Sequence, residues 1–186
     1  ADILVVNKAD LPGADTLARE LHDAGIAHVA LVTGDRPEVA DEVARNAGIE
    51  HVYAEQTPEE KLNVVRAVRG RPGLQNVVMV GDGINDAPAL ALADVGIAMA
   101  GKGATISSET ADVVITVDHA DRIALSVRIG RRSLGIARQS VVYGLGLSVA
   151  AMIVAAFGYL PPVWGALFQE VIDVAVILNA LRALHG

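Results

Sequence analysis

Cysteine is absent from all 186 residues. That excludes a disulfide framework and any thiolate metal site within this chain. An excess of basic charge is also missing: the formal net charge is −7, which argues against a nucleic-acid-binding surface. No GxxxxGK[ST] phosphate loop occurs, so any nucleotide-reading motif in this chain lacks its usual phosphate-binding partner. The chain opens on Ala1 without a signal-peptide pattern, and it reads as a piece whose start lies elsewhere. Its five histidines, His22, His28, His51, His119 and His185, have no metal-ligand spacing and are read as structural or exposed. Aromatic residues are scarce at 3%, yet hydrophobic residues reach 52%. The apolar excess is concentrated late in the chain, which points to a membrane part rather than to a larger core.

The most informative stretch is VVMVGDGINDAPAL at residues 77–90. Its apolar beginning predicts a buried strand, and Pro88 marks a following helix. Gly81 and Gly83 let the backbone turn sharply and come close to a bound group. Asp82 then falls at the carboxyl end of a strand, where open α/β sheets place their ligands. Asp86 follows near the next helix start. Two carboxylates around a tight turn suit Mg²⁺, a hard cation that takes oxygen ligands and keeps several waters. Asn85 supplies a neutral group for a phosphate oxygen.

Taken in order, Ile3–Val6 is a predicted strand, followed by Asn7-Lys8-Ala9-Asp10. NKxD after a strand resembles the guanine-reading motif of GTPases, whose phosphate loop is missing here. The other reading is a strand-to-helix turn broken by Pro12-Gly13. A helix over 16–24 precedes a strand at His28–Val32, which ends in Thr33-Gly34-Asp35. A hydroxyl and a glycine amide at a strand end make a small anion-binding nest, and Asp35 is placed to cap the helix predicted over Pro37–Ala47. After a short strand at His51–Tyr53, Thr57, Pro58 and Glu60 spell a capping box. Lys61 lies in that helix's first turn. A cation there opposes the helix macrodipole, which suggests a bound anion. Further strands are predicted at 76–80, 96–99 and 112–116, with a helix over 104–110. Strands and helices alternating in this way imply a parallel sheet covered on both faces. Asp94 and Asp112 are read as turn or capping residues.

The remainder is different. A helix over 121–139 carries Arg122, Arg128, Arg131, Arg132 and Arg138. Residues 141–158 then hold no charge, a run long enough to cross a bilayer. Pro161-Pro162 breaks the chain, and residues 163–184 form a second apolar stretch containing Glu170, Asp173 and Asn179. Arginines before the first stretch and Arg182 after the second put both ends on the cytoplasmic side. Ionisable groups in a membrane helix are expensive and usually face an ion pathway. Glu170 and Asp173 share one helical face. Asn179 lies about 240° around from Asp173 and need not join them.

GDGINDAPAL resembles the hinge motif of P-type ATPases, which belong to the haloacid dehalogenase-like (HAD-like) phosphotransferases. ALADVGIAMA and GATISSETADVVI resemble that family too, and with the C-terminal end the likeness is to its heavy-metal-transporting branch. The resemblance runs from about residue 24 to the C-terminus. It implies an α/β fold, a HAD-like (Rossmannoid) parallel sheet with helices on both faces, followed by two transmembrane helices. The chain then divides into a start at 1–13 that departs from the family pattern, a partial phosphorylation domain at 14–120, and a stalk helix with a transmembrane hairpin at 121–186. The departure is specific: the family tends to have Asp-x-x-Arg-Pro here, whereas this chain has Asp10-Leu11-Pro12.

By the same resemblance the reaction forms an aspartyl phosphate from ATP and hydrolyses it with Mg²⁺ bound. Thr33 and Gly34 would hold phosphoryl oxygens beside Asp35, and Lys61 would neutralise the phosphorylated carboxylate. Asn85 would bridge phosphate and loop, with Asp82 and Asp86 on Mg²⁺. Asp173, with Glu170, would meet a transported divalent transition ion of the Zn/Cd/Co kind, because carboxylates suit harder ions than thioethers do. The expected setting is a multi-pass protein of a bacterial plasma membrane with its HAD-like part cytoplasmic. No DKTGT occurs, so the nucleophile is expected in a missing N-terminal portion and the piece alone is expected to be inactive. Since that nucleophile strand lies near the centre of the family's sheet, its absence predicts an unpaired strand edge inside the domain. The alternatives are a soluble HAD-family phosphatase and a GTP-binding module using Asn7 to Asp10.

Overall fold

The computed structural model describes residues 3–7, 14–72, 76–81, 84–99, 110–117 and 119–184. The chain forms two compact units, Ala1–Val127 and Arg128–Gly186.

The first unit is built on six parallel strands: β1 (Ile3–Val6), β2 (His28–Val32), β3 (His51–Tyr53), β4 (Val77–Gly81), β5 (Val95–Met99) and β6 (Val113–Ile115). Their order is β3-β2-β1-β4-β5-β6, a doubly wound arrangement that reverses direction beside β1. Four helices follow strands or lead into them: α1 (Leu17–Asp23), α2 (Pro37–Ala47), α3 (Pro58–Arg69) and α4 (Ala87–Leu92). Alternation along the strands sorts the core into two layers. Leu4, Val6, Leu31, Val78 and Val80 pack with Leu17 and Leu21 of α1 and Ala40 and Ala44 of α2. Ile3, Val5, Val77 and Met79 pack with Val65 and Val68 of α3 and Ala89 and Leu90 of α4. Both faces are therefore covered, which is why the central strands read as unbroken apolar runs.

One expectation is overturned here. The sheet has no unpaired edge at its centre, because β1 fills the place between β2 and β4. Ile3–Val6 pairs with residues 28–31 on one side and 77–80 on the other. All four residues of β1 are buried, so this short apolar segment completes two backbone ladders and both core layers at once.

The helix ends follow the sequence closely, with one exception. Thr57 and Glu60 form the full capping box at the start of α3, and Gly48 closes α2 in the left-handed region at φ 70°. Asp35 does not cap α2. Arg36 occupies that position without a side-chain bond, and the Asp35 carboxylate turns back to accept from Thr33 Oγ1 at 2.8 Å. Asp94 and Asp112 tie loops to strands, accepting from the backbone N–H groups of Val77 and Gly96, each at 2.9 Å. The helix predicted over 104–110 lies outside the described residues except for Thr110.

In the second unit the predicted stalk and first apolar stretch are one continuous helix, α5 (Asp121–Ala156), whose first residues belong to the first unit. After a turn comes α6 (Pro162–Ala180), which ends in a 3-10 turn at Leu181–Leu184. Both helices are long and apolar enough to cross a membrane. Their facing sides meet along small and polar residues of α5 that recur every fourth position. Asn179 Nδ2 donates to Ser140 Oγ at 2.8 Å. A Cβ on Gly144 would lie 2.9 Å from Val176 Cγ2. Ser148 Oγ donates to Gln169 Oε1 at 3.0 Å. Small residues that admit close backbone approach, with polar side chains bonding across, are the usual cement of helices in lipid.

Candidate functional site

The carboxyl ends of the three central strands bring the predicted polar residues to one rim of the sheet. β2 delivers Thr33, β1 delivers Asn7 and β4 delivers Gly81, since Val6 pairs with both Leu31 and Val80. Asn7 continues the ladder, its backbone N–H donating to the carbonyl of Val80 at 3.0 Å.

Asp86 is the hub. It is 1% exposed, and both of its carboxylate oxygens accept hydrogen bonds. Lys61 Nζ donates to Oδ1 at 3.0 Å, and Asn7 Nδ2 donates to Oδ2. Lys61 is itself 9% exposed. An ammonium that far from water is tolerable only when paired, and its place in the first turn of α3 adds the unfavourable end of the helix dipole. Asp86 answers both. Gly81 makes the arrangement possible: a Cβ there would sit 2.8 Å from Asp86 Cβ and 2.8 Å from its Oδ2.

Thr33, 6% exposed, lies in a tight loop at the end of β2. Its N–H donates to Tyr53 O and its carbonyl accepts from Gln56 N–H, both at 2.9 Å. The next loop also holds Asp35, whose carbonyl accepts from Glu55 N–H at 2.8 Å. Glu55 adopts φ 53°, a left-handed conformation uncommon outside glycine. Gly34 and Asn85 are exposed. Among the described residues no side-chain hydrogen bond joins Thr33, Gly34 or Asn85 to the Lys61–Asp86–Asn7 group. Asp82 lies outside the described residues, as do Lys8 to Asp10 of the NKxD stretch.

The described residues supply only part of what Mg²⁺ needs. The ion needs one or two carboxylates with room for waters and phosphate oxygens. Asp86 is buried with both oxygens engaged, and the described residues contain no group of three or more His, Cys, Asp or Glu side chains able to hold a metal. By themselves they do not make a Mg²⁺ shell; Asp86 fits a supporting place rather than direct ligation.

Asn7, read from the sequence as part of a turn or else as a base reader, was not singled out as a partner of Asp86. Its carboxamide is engaged by Asp86 and does not stand free to read a base edge. The available signal was positional: like Thr33 after β2, it is the first polar residue after a run of four buried residues in a strand. A separate cleft lined by His22, His28, Glu50 and His51 lies by the amino ends of β2 and β3, away from this rim.

In the second unit, Asp173 Oδ1 accepts from Gln169 Nε2 at 3.0 Å, and Gln169 in turn accepts from Ser148. Glu170 is exposed one residue along from Gln169. Asn179 is bonded elsewhere, to Ser140. Gln169 and Ser148 were not singled out from the sequence, since an amide and a hydroxyl in an apolar run announce no partner until the helices are paired.

A family model described as haloacid dehalogenase-like hydrolase matches residues 2–94, and the chain belongs to that family. Over nearly its whole length it also matches part of the heavy-metal P-type ATPases. It is 40% identical over 175 residues to a zinc-exporting P-type ATPase of Mycobacterium marinum, covering 94% of this chain and 24% of the relative. Identity is 35% over 186 residues to a cadmium, zinc and cobalt-transporting ATPase of Bacillus subtilis, covering 98% and 26%. It is 38% over 175 residues to a manganese-exporting P-type ATPase of Mycobacterium leprae, covering 94% and 24%. Among solved structures, a zinc-transporting PIB-type ATPase in its E2.Pi state superposes with a TM-score of 0.81 at 32% identity, covering 89% of this chain and 26% of that one. The chain thus spans about a quarter of the length of the curated relatives it matches.

Proposed function

We propose that this chain is the part of an ATP-driven metal-ion pump that holds a phosphoryl group at the sheet rim and contributes a helical hairpin to the membrane. The observation that supports it best is the buried Lys61–Asp86 pair at the carboxyl ends of the central strands, in a chain that continues into two apolar helices. Phosphoryl transfer relies on positioning and on charge stabilisation. In this reading Thr33 and Gly34 hold phosphoryl oxygens, with Asp35 bracing the Thr33 hydroxyl. Lys61 supplies the positive charge, Asp86 fixes where that charge sits, and Asn85 bridges phosphate and loop. Asp82, with Asp86 in support, would hold Mg²⁺, the family's usual companion of ATP, which would shield phosphoryl charge.

The residue that follows the central strand β1 is Asn7, and a carboxamide is not a phosphoryl acceptor. The purified 186-residue chain is therefore expected to show no ATP hydrolysis; turnover above background would overturn this assignment of the rim. The cargo is a divalent transition ion of the Zn/Cd/Co or Mn kind, met in the membrane by Asp173 with Glu170. The placement in this reading is a bacterial plasma membrane, multi-pass, with the first unit cytoplasmic; the arginines before α5's apolar part and Arg182 after α6 support that orientation. The test is metal-stimulated ATP turnover by the longer parent protein in vesicles. Asp173→Ala should abolish the stimulation while leaving ATP binding in place. A chain that stays monodisperse in buffer without detergent would instead favour a soluble phosphatase of the same family.

A further inference from the structure

The second unit carries an open pocket lined by Arg132 of α5 and by Leu178, Leu181 and Arg182 at the end of α6. The pump reading uses Arg182 only for the sign of its charge; Arg182 Nη1 donates to Asn179 Oδ1 at 3.1 Å, one of the guanidinium's five N–H donors. Leu178 and Leu181 are 59% and 45% exposed, and they lie on the apolar side of the two guanidinium groups. The contact between Ser140 and Asn179 puts those two residues at one level. Counting from there at 1.5 Å per residue, Arg182 lies roughly 5 Å and Arg132 roughly 12 Å further toward the polar end of the hairpin. With the uncharged run 141–158 in hydrocarbon, that interval falls where a bilayer gives way to headgroups.

We propose that this pocket binds an anionic phospholipid: the two arginines take the phosphodiester and headgroup, and the two leucines lie along the start of the acyl chains. Arginine presents a fork of donors that matches phosphate oxygens, and basic pockets between membrane helices recognise acidic lipid headgroups. Charge complementarity is local. The whole chain is −7, whereas residues 128–186 carry five arginines against Glu170 and Asp173. An attraction to anionic lipid therefore comes from this end of the hairpin and not from the protein's overall charge.

The inference rests on the hairpin being membrane-inserted, and the experiment separates the two. The 186-residue chain, purified in mild detergent, is mixed with phosphatidylglycerol or phosphatidylcholine, and retained lipid is counted by native mass spectrometry; insertion is followed by flotation with neutral phosphatidylcholine vesicles. The chain should float with neutral vesicles and retain phosphatidylglycerol preferentially. Arg132→Gln/Arg182→Gln should weaken that retention roughly thirtyfold, from the share of each basic side chain near an anionic surface. Arg132→Lys/Arg182→Lys should keep part of it, which guards against a mere folding defect. Arg128→Gln/Arg138→Gln, the same loss of charge outside the pocket, should leave it nearly unchanged. Equal losses in the two glutamine pairs would mean diffuse attraction and overturn the site. So would displacement of the lipid by millimolar glycerol phosphate, which would mark a soluble phosphate site. Failure to float with neutral vesicles would overturn the membrane reading, and the lipid pocket with it.

Discussion

The two units solve opposite burial problems. In the first, apolar side chains fill both layers around the sheet, and the buried charges Lys61 and Asp86 are the exception that marks the rim. In the second, the polar contacts of Ser140 and Ser148 lie in the seam between the helices. Large apolar side chains such as Tyr143, Phe157, Val163 and Ile177 face outward, each at least 60% exposed. Water favours the first arrangement, and the second is of the kind that lipid favours. Polar side chains thus serve differently in the two halves: a buried charge pair marks the rim in one, and a part-buried hydroxyl–amide bond joins two helices in the other.

The largest expected effect breaks the exception in the first unit. Asp86→Ala leaves Lys61 buried and unpaired, and should destabilise that unit by about 3–5 kcal/mol. Chemical denaturation followed by circular dichroism measures it. Lys61→Met/Asp86→Leu removes both charges together and should cost much less than the two single changes added, because neither partner is left uncompensated. A double variant as damaging as the sum would show the pair to be incidental. Gly81→Ala should come next, at about 1–3 kcal/mol, since its new methyl would press on Asp86 from 2.8 Å. If Gly81→Ala were tolerated without loss, the close approach of β4 to Asp86 would not be a constraint.

The comparison is sharpened by doing the matching experiment in the seam. Ser140→Ala removes one hydrogen bond to Asn179, and in membrane helices such bonds average about 0.6 kcal/mol. The expected change in hairpin stability, read by steric trapping or by unfolding in mixed micelles, is therefore several-fold smaller than for Asp86→Ala. Gly144→Leu should exceed it, because Val176 leaves no room for a side chain. A Ser140→Ala effect as large as the loss of Asp86 would erase the distinction between the two halves.

Legibility followed the same division. Local signals were read well. The capping box at Thr57 and Glu60, the limits of α2 and the strand at His28–Val32 are where their residues predicted them, because propensity and capping act within a few positions. What pairs across the chain was not legible. Asn7 finds Asp86 from 79 residues away, and Ser148 finds Gln169 from 21; no spacing rule reaches that far. The central place of β1 was missed for a related reason. A short apolar strand fits any buried slot, and only the two ladders decide which. Asp35 shows competition at short range, where a threonine hydroxyl two residues back won over the helix end.

The smallest expected effect concerns a surface feature of the first unit and asks whether its local rules act as read. Bonds from the Thr57 side chain, and then from its backbone N–H, hold the Glu60 carboxyl below its ordinary value of 4.5. The folded state therefore binds that proton less readily than the unfolded chain does. The stabilisation is fully present above pH 4.5 and is lost as pH falls through the lower folded-state value. Because Glu60 is fully exposed, solvent screens the pair and only a slight shift is expected. Denaturation midpoints of the native chain and of Glu60→Gln should differ slightly at pH 7 and converge in acid, since glutamine keeps the shape of the capping box without the titrating proton. A gap that widens on acidification would reverse the sign of this linkage, and the carboxylate would then not be the form that caps α3.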